Sequence, residues 1–329
     1  LGIYIINVGA LDLVSYCSIA KPRVVVAMDH NLETWKEVKR VSPNTFIIGR
    51  HYVEDGDQVF DNPEANAQTF FNNMKPAADK MRGVYDAWMG YNESVIDSED
   101  DAKRLSRFYV KWGDVMKQVN LISAAYSFST GAPKKGDPDN NHPGQNEPNY
   151  WPLLADGVRH CDLLSLHEYS AKTMDYLQGY LCLRYRAVRN LLPADARKPI
   201  VITETGIDGG PIGEAQAGWK KFTTEAGYLA TLQWYDNEIQ KDDYLIGATI
   251  FAAAGWPDHG PNAGSFSIVG LNQIRDYIAQ GGDPPPVVIG PPPPVDTAKL
   301  AQEAAVVHKP WMPINDGGAL YKFALKNNL

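Results

Sequence analysis

Positive charge, cysteine and long apolar runs are all scarce in this sequence, and each scarcity removes a class of function. Thirty-one lysines and arginines face 39 aspartates and glutamates, giving a formal net charge of −8. Nucleic acids and anionic membrane surfaces are held by clustered Lys and Arg that displace counterions, so neither is an expected partner. A neutral or cationic substrate fits the charge better. Only three of the 329 residues are cysteines, Cys17, Cys161 and Cys182. They are odd in number, lack CxxC spacing and fall inside expected strands or helices, which argues for small buried side chains and against a disulfide framework or a bound metal. No stretch approaches the roughly eighteen consecutive apolar residues of a membrane span. Residues 1–8, LGIYIINV, lack a basic n-region and a cleavage site, and are read as a first strand rather than a signal peptide.

Several enzyme signatures are missing as well. There is no HExxH, GxSxG or Cys/His ligand pattern, so zinc hydrolysis and a nucleophile-elbow serine find no support, and neither cofactor nor metal is expected. Asp137, Asp139 and Asn141 have the alternate spacing that opens a calcium loop, but His142 stands where Gly is needed and Pro148 where a bidentate Glu is needed. That stretch is read as a polar loop.

What is present is a regular alternation. Hydrophobic residues make up 44% and charged residues 21%, values of a soluble globular chain. Short apolar runs alternate with amphipathic stretches, the pattern of βαβ units and a parallel sheet. Eight strands are expected, over 2–7, 23–29, 45–52, 84–93, 121–129, 161–169, 199–205 and 245–256. Between them, Asn62-Pro63 begins a helix carrying Phe70, Met74, Ala77 and Met81 on one face. Ser98 and Asp101 form a capping-box pattern before Leu105, Phe108, Trp112 and Val115. Phe222, Ala226, Leu229, Leu232, Tyr235 and Ile239 make a third stripe.

Eight strands with helices between them predict a (β/α)8 TIM barrel over 1–282. The rival, a doubly wound open sheet, calls for a Gly-rich phosphate turn after the first strand, and NVGALDL has none. The long Gly/Pro/Asn-rich loops at 131–150 and 255–265 both follow strand ends, where they would wall a cleft on the C-terminal barrel face. Beyond Gly282 the composition shifts to DPPPVVIGPPPPV, a stiff polyproline segment, followed by helical patterns over 297–307 and toward the C-terminus. Residues 283–329 are thus read as a Pro-rich segment and helical tail, either packed on the barrel or linking it to a further module of a longer chain.

The chemistry converges on two carboxylates. Glu93 ends the fourth strand, in VYDAWMGYNE, and Glu204 ends the seventh, in PIVITETG. In a (β/α)8 barrel, side chains at C-terminal strand ends meet in one cleft however far apart they are in sequence. A carboxylate after Asn at strand four and a second at strand seven resembles the layout of clan A glycoside hydrolases, in particular families 39 and 5. The resemblance spans the barrel, but its specific content is a handful of strand ends. It implies a retaining, metal-independent glycosidase acting on a β-linked polysaccharide or oligosaccharide, with Glu93 as acid/base and Glu204 as nucleophile, about 5 to 5.5 Å apart. Asn92 matches the asparagine that would bind the sugar 2-hydroxyl. His167 and Tyr169, in LHEYS, match the sixth-strand His-x-Tyr, whose Tyr would keep the nucleophile ionised. Trp256 fits the aromatic platform of strand eight, while Arg50 and His51 close strand three and are assigned to the same subsite. The sequence departs from the layout at Ser94, where Pro is common, and in its arginine, which usually sits on a neighbouring strand. Glu168, Asp208 and Asp258 are read as rim charges.

A polymer substrate implies an extracellular or cell-surface location, with the protein acting as a monomer in an open groove. Two other readings stand beside this one. A carbohydrate-binding barrel without catalysis would suit the Pro-rich tail as part of a larger surface protein. A barrel enzyme acting on phosphorylated metabolites would use TGIDGGPIG as its phosphate loop.

Overall fold

The computed structural model describes residues 1–133, 149–253 and 263–289, together with two short strands nearer the C-terminus. Eight parallel strands close into a barrel in sequence order: β1 (Gly2–Ile5), β2 (Val24–Ala27), β3 (Phe46–Gly49), β4 (Ala87–Met89), β5 (Ser123–Phe128), β6 (Leu163–Ser170), β7 (Ile200–Ile207) and β8 (Leu245–Ala253), with β8 pairing back onto β1. Around them lie α1 (Leu13–Ala20), α2 (Leu32–Val41), α3 (Pro63–Lys80), α4 (Glu99–Gln118), α5 (Trp151–His160), α6 (Arg184–Leu191), α7 (Glu225–Ile239) and α8 (Asn272–Ala279). This is the expected (β/α)8 TIM barrel.

The local reasons are readable. Ser98 caps α4 by accepting the Asp101 N–H, Asp101 takes the Ser98 hydroxyl in return at 2.6 Å, and Glu99, Asp100 and Asp101 complement the helix dipole. Leu105, Phe108, Trp112 and Val115 are then buried against the sheet. In α3, Pro63 occupies the first turn, and Phe70 and Met74 face inward. The stripe of α7 is rotated from its expected position. Phe222 precedes the helix and Ala226 is exposed, whereas Tyr228 and Thr231 are buried with Leu232, Tyr235 and Ile239. Gly2 has no alternative residue, since a Cβ there would lie 1.6 Å from the Val24 carbonyl oxygen. Cys17, Cys161 and Cys182 are free and buried. Among the described residues no helix is long and apolar enough to cross a membrane.

Two apolar layers result. One lies between sheet and helices, and the other fills the barrel with Tyr4, Val24, Val26, Phe46, Leu163, Val201 and Ile246 among its members. The Pro-rich segment completes the second. Past the expected boundary at 282, Val287 and Ile289 pack on the interior cluster, Pro284 is buried, and Arg23 donates to the carbonyls of Pro285 and Ile246. Arg23 precedes β2 and Ile246 is near the start of β8, so the segment crosses the N-terminal end of the barrel like a stopper.

Farther on, Trp311–Pro313 and Tyr321–Phe323 pair as antiparallel strands rather than continuing a helical tail. Pro313, inside the first of these strands, is a poor helix residue because it lacks a backbone donor. The helical pattern at 297–307 lies outside the described residues.

Val287→Ser combined with Ile289→Ser should lower stability by about 1–3 kcal/mol, read as a lower urea midpoint with an unchanged slope. An unaltered midpoint would show that the segment merely rests on the barrel.

Candidate active site

Strand parity explains most of the site. Along β6, Leu164 and Leu166 face the helices, while Leu163 and Ser165 point into the barrel. His167 and Tyr169 continue the inward series. Parity alone would turn Glu204 outward, because Val201 and Thr203 face in. A bulge corrects this: Leu166 pairs with Ile202 but His167 pairs with Glu204, so Thr203 is the extra residue and Glu204 is re-aimed into the barrel mouth. A second irregularity on β5 pairs Tyr126 with Ser165 and Phe128 with Leu166, leaving Ser127 as the extra residue. The Ser127 carbonyl accepts the Glu93 N–H at 3.0 Å. Glu93 itself has φ 54°, a left-handed backbone that a non-glycine residue adopts only when its surroundings enforce it. Nearby, Asn92 N–H donates to Gln58 Oε1 at 2.6 Å and Tyr91 stacks on Phe108, so the turn is fixed on both sides.

The two carboxyl groups meet. Glu93, His167 and Glu204 each place one oxygen or nitrogen so that all three atoms lie within 4.8 Å of one another. His167 Nδ1 is 2.8 Å from Glu93 Oε1 and 3.6 Å from Glu204 Oε2. Arg50 Nη1 donates to Glu204 Oε1 at 3.2 Å and also to the Tyr4 hydroxyl, and Tyr169 donates its hydroxyl to Glu204 Oε2 at 2.9 Å. The Glu93 side chain is 40% exposed and that of Glu204 8%, so Glu93 faces the open mouth and Glu204 lies deeper. Below them runs a chain of hydroxyls, Ser127 to Ser165 at 2.8 Å and Ser165 to Thr203 at 2.6 Å.

Their electrostatics differ. Burial raises the Glu204 carboxyl and the neighbouring Glu93 charge adds to this, with His167, Arg50 and Tyr169 offsetting only part. Burial would raise Glu93 too, but the hydrogen bond and charge of His167, helped by Arg50, hold it below the usual carboxylate range. The same three groups have the donor types and spacing to hold a divalent cation, but it would sit beside the guanidinium already bound to Glu204.

Other expected residues are placed variously. Asn92 directly precedes Glu93, its Oδ1 buried with no hydrogen-bond partner. The His51 ring lies 5.8 Å from that of Phe70 on α3. Glu168 and Asp208 are not rim charges, for both are buried. Asp208 accepts the N–H groups of Gly210, within the TGIDGGPIG turn, and of Ala217 beyond it, so the turn directs its Gly210 donor at its own carboxylate rather than at a phosphate. Trp256, Asp258 and the 137–148 loop lie outside the described residues. Sequence reasoning missed Tyr4 and also Phe251, whose ring meets Tyr4 at 5.1 Å, Phe266 at 5.7 Å and Tyr169 at 6.4 Å. Inward parity on β1 would have found Tyr4.

No protein-family model matches this sequence, nor does any curated protein sequence. Solved structures do match in fold. A family 39 glycoside hydrolase from the gut symbiont Bacteroides cellulosilyticus WH2 superposes with a TM-score of 0.51 at 12% identity, over 99% of this chain and 68% of that one. A family 2 β-galacturonidase from Eisenbergiella tayi gives 0.53 at 12%, over 86% and 51%. The β-glucuronidase of Ruminococcus gnavus gives 0.54 at 10%, over 85% and 50%. The barrel is shared with glycoside hydrolases. At these identities the likeness establishes the fold, and the chain spans about half the length of the latter two enzymes.

Arg50→Met leaves Glu204 buried without its guanidinium. Where Glu204 is ionised the expected loss is about 3–5 kcal/mol. The raised carboxyl costs stability only above its unfolded pKa, so the loss should shrink as pH falls and Glu204 takes up a proton. Adding Glu204→Gln should recover most of it. Urea unfolding at pH 5 and pH 8 checks this, and a loss equal at both would contradict the pairing.

Proposed function

We propose that this protein is a retaining glycoside hydrolase acting on a β-linked glycan, with Glu93 as acid/base and Glu204 as nucleophile. The observation that carries the reading is the approach of their carboxyl oxygens to within 4.8 Å at the mouth of a (β/α)8 barrel. That approach is closer than the roughly 6.5–9.5 Å of single displacement and supports direct attack on the anomeric carbon. The more exposed Glu93 faces the side from which a leaving group departs. Glu204, meeting a guanidinium and a phenol, is fitted to carry the charge.

Catalysis needs a proton on Glu93, whereas the resting fields favour one on Glu204. His167 reconciles the two. With its proton on Nδ1 the ring donates to ionised Glu93 and Glu204 is protonated. With its proton on Nε2, Nδ1 accepts from protonated Glu93, and ionised Glu204 faces Arg50 and Tyr169. Both arrangements hold the same number of protons, and the second is ready to react. Glu93 then protonates the glycosidic oxygen as Glu204 forms the glycosyl ester. Next, water deprotonated by Glu93 attacks that ester, releasing the sugar with retained configuration and restoring both groups. Asn92, with an unengaged Oδ1, is assigned to the sugar 2-hydroxyl, and Phe251 and Phe266 to an apolar sugar face. The reaction needs no metal, and a polymer substrate would place the protein outside the cell or at its surface.

Glu204→Gln should abolish turnover. Glu93→Ala should slow it by about 10²–10⁴-fold for alkyl or sugar leaving groups and far less for activated aryl glycosides. Proton NMR of the first-formed sugar should show the β-anomer, and EDTA-treated protein should keep its activity. A first-formed α-anomer would overturn double displacement, and saturable glycan binding without cleavage would favour a binding module.

A further inference from the structure

Between His167 and Tyr169, which touch the two carboxylates, lies a third carboxylate that the mechanism above does not use. Glu168 points to the opposite face of β6 and is fully buried between strand and helices. Its Oε1 accepts the Tyr185 N–H at 2.8 Å, and its Oε2 accepts the Leu183 N–H at 2.8 Å and the Tyr235 hydroxyl at 2.6 Å. Its carbonyl takes the Thr205 hydroxyl at 2.7 Å, next to Glu204 on β7. Leu183, the residue preceding α6, offers no side-chain cap. Glu168 therefore caps α6 from another strand, where the helix dipole favours a negative charge.

We infer that Glu168 is a positioning residue, whose carboxylate bolts β6 to α6 and α7 and so sets His167 and Tyr169 against Glu93 and Glu204. The inference rests on the glycosidase reading only for its kinetic test. Three donors converge on one carboxyl group, an arrangement that a purely apolar anchor would make unnecessary. Burial pushes the group up to about 7, with the Tyr235 hydroxyl and the two backbone N–H groups opposing. The ionisable groups facing it are Tyr185 and Arg186 from α6, Tyr235 from α7 and Cys182 from the preceding loop. A glutamine at 168 has one acceptor oxygen and one NH2. The Tyr235 hydroxyl can reverse to accept from that NH2, but the two backbone N–H groups cannot, so one of them loses its partner. The strain falls on β6, between two residues whose reach to Glu93 and Glu204 is fixed at 2.8 and 2.9 Å.

Three variants of the full chain test this: Tyr235→Phe, Glu168→Gln and the two combined. On a β-glycoside that the wild type hydrolyses, Glu168→Gln should lower kcat about ten- to a hundredfold through misplacement of the reacting groups, with KM within about twofold. Tyr235→Phe keeps the carboxylate and both backbone donors, and should retain kcat within a few-fold. The His167 ring 15N resonances should shift in Glu168→Gln and stay near wild-type positions in Tyr235→Phe. Reduced stability with unchanged kcat and unchanged His167 resonances would overturn the inference. Should Glu168→Gln not fold, equal loss of folding in Tyr235→Phe would overturn it as well. If the wild type cleaves no β-glycoside, the glycosidase reading fails, while the His167 resonances still decide whether Glu168 positions that ring.

Discussion

Two carboxyl groups brought within 4.8 Å from different strands repel each other, and the mouth of this barrel is arranged around that repulsion. Arg50 supplies one positive charge, which matches one carboxylate and leaves the second to hold a proton or share one. Tyr169 and Tyr4 extend the hydrogen bonding from the pair and its guanidinium into neighbouring strands, and His167 reaches toward both acids. These residues come from four elements of the sheet, with Tyr4 on β1, Arg50 just past β3, His167 and Tyr169 on β6 and Glu204 on β7. Their meeting depends on barrel closure, so fold and chemistry cannot be separated here.

Closure alone does not aim the acids correctly. Glu204 comes inward because Thr203 is bulged, and Glu93 is held in a left-handed turn by a carbonyl from the irregular stretch of β5. The hydroxyls of Ser127 and Thr203, the two extra residues, join through Ser165 beneath the site. A regular sheet would satisfy its backbone more simply. The departures coincide with the acids, as expected where local rules yield to a site.

These particulars decide what the sequence could reveal. All eight strands were legible because buried parallel strands are short apolar runs bounded by polar turns, and the meeting of Glu93 with Glu204 followed from barrel closure although β4 ends at Met89 and β7 runs on to Ile207. The bulges were illegible, since a period of two has no symbol for an inserted residue. Glu168 was misjudged for a related reason. A carboxylate beside the cleft reads as a rim charge, and only the fold shows that its face is closed by Tyr235 and capped onto α6. The tail was legible as Pro-rich but not as a stopper, because stiffness says nothing about where a segment packs.

Along its axis the barrel interior changes character in steps. Val24, Phe46, Leu163, Val201 and Ile246 fill the N-terminal end, with Val287 against them. Hydroxyls of Ser127, Ser165 and Thr203 come next, and then the charged layer of Arg50, Glu93, His167 and Glu204. The order has a physical basis. An ion pair placed at the apolar end would meet neither water nor donors and would neutralise itself by proton transfer. Hydroxyls can turn either a donor or an acceptor toward what lies above them, so they join an apolar layer to a charged one without leaving a fixed dipole opposed. Only at the mouth can a carboxyl group exchange its hydrogen bonds between protein and water. The apolar floor therefore supplies stability, and the layer above it holds the groups whose hydrogen bonds can be exchanged.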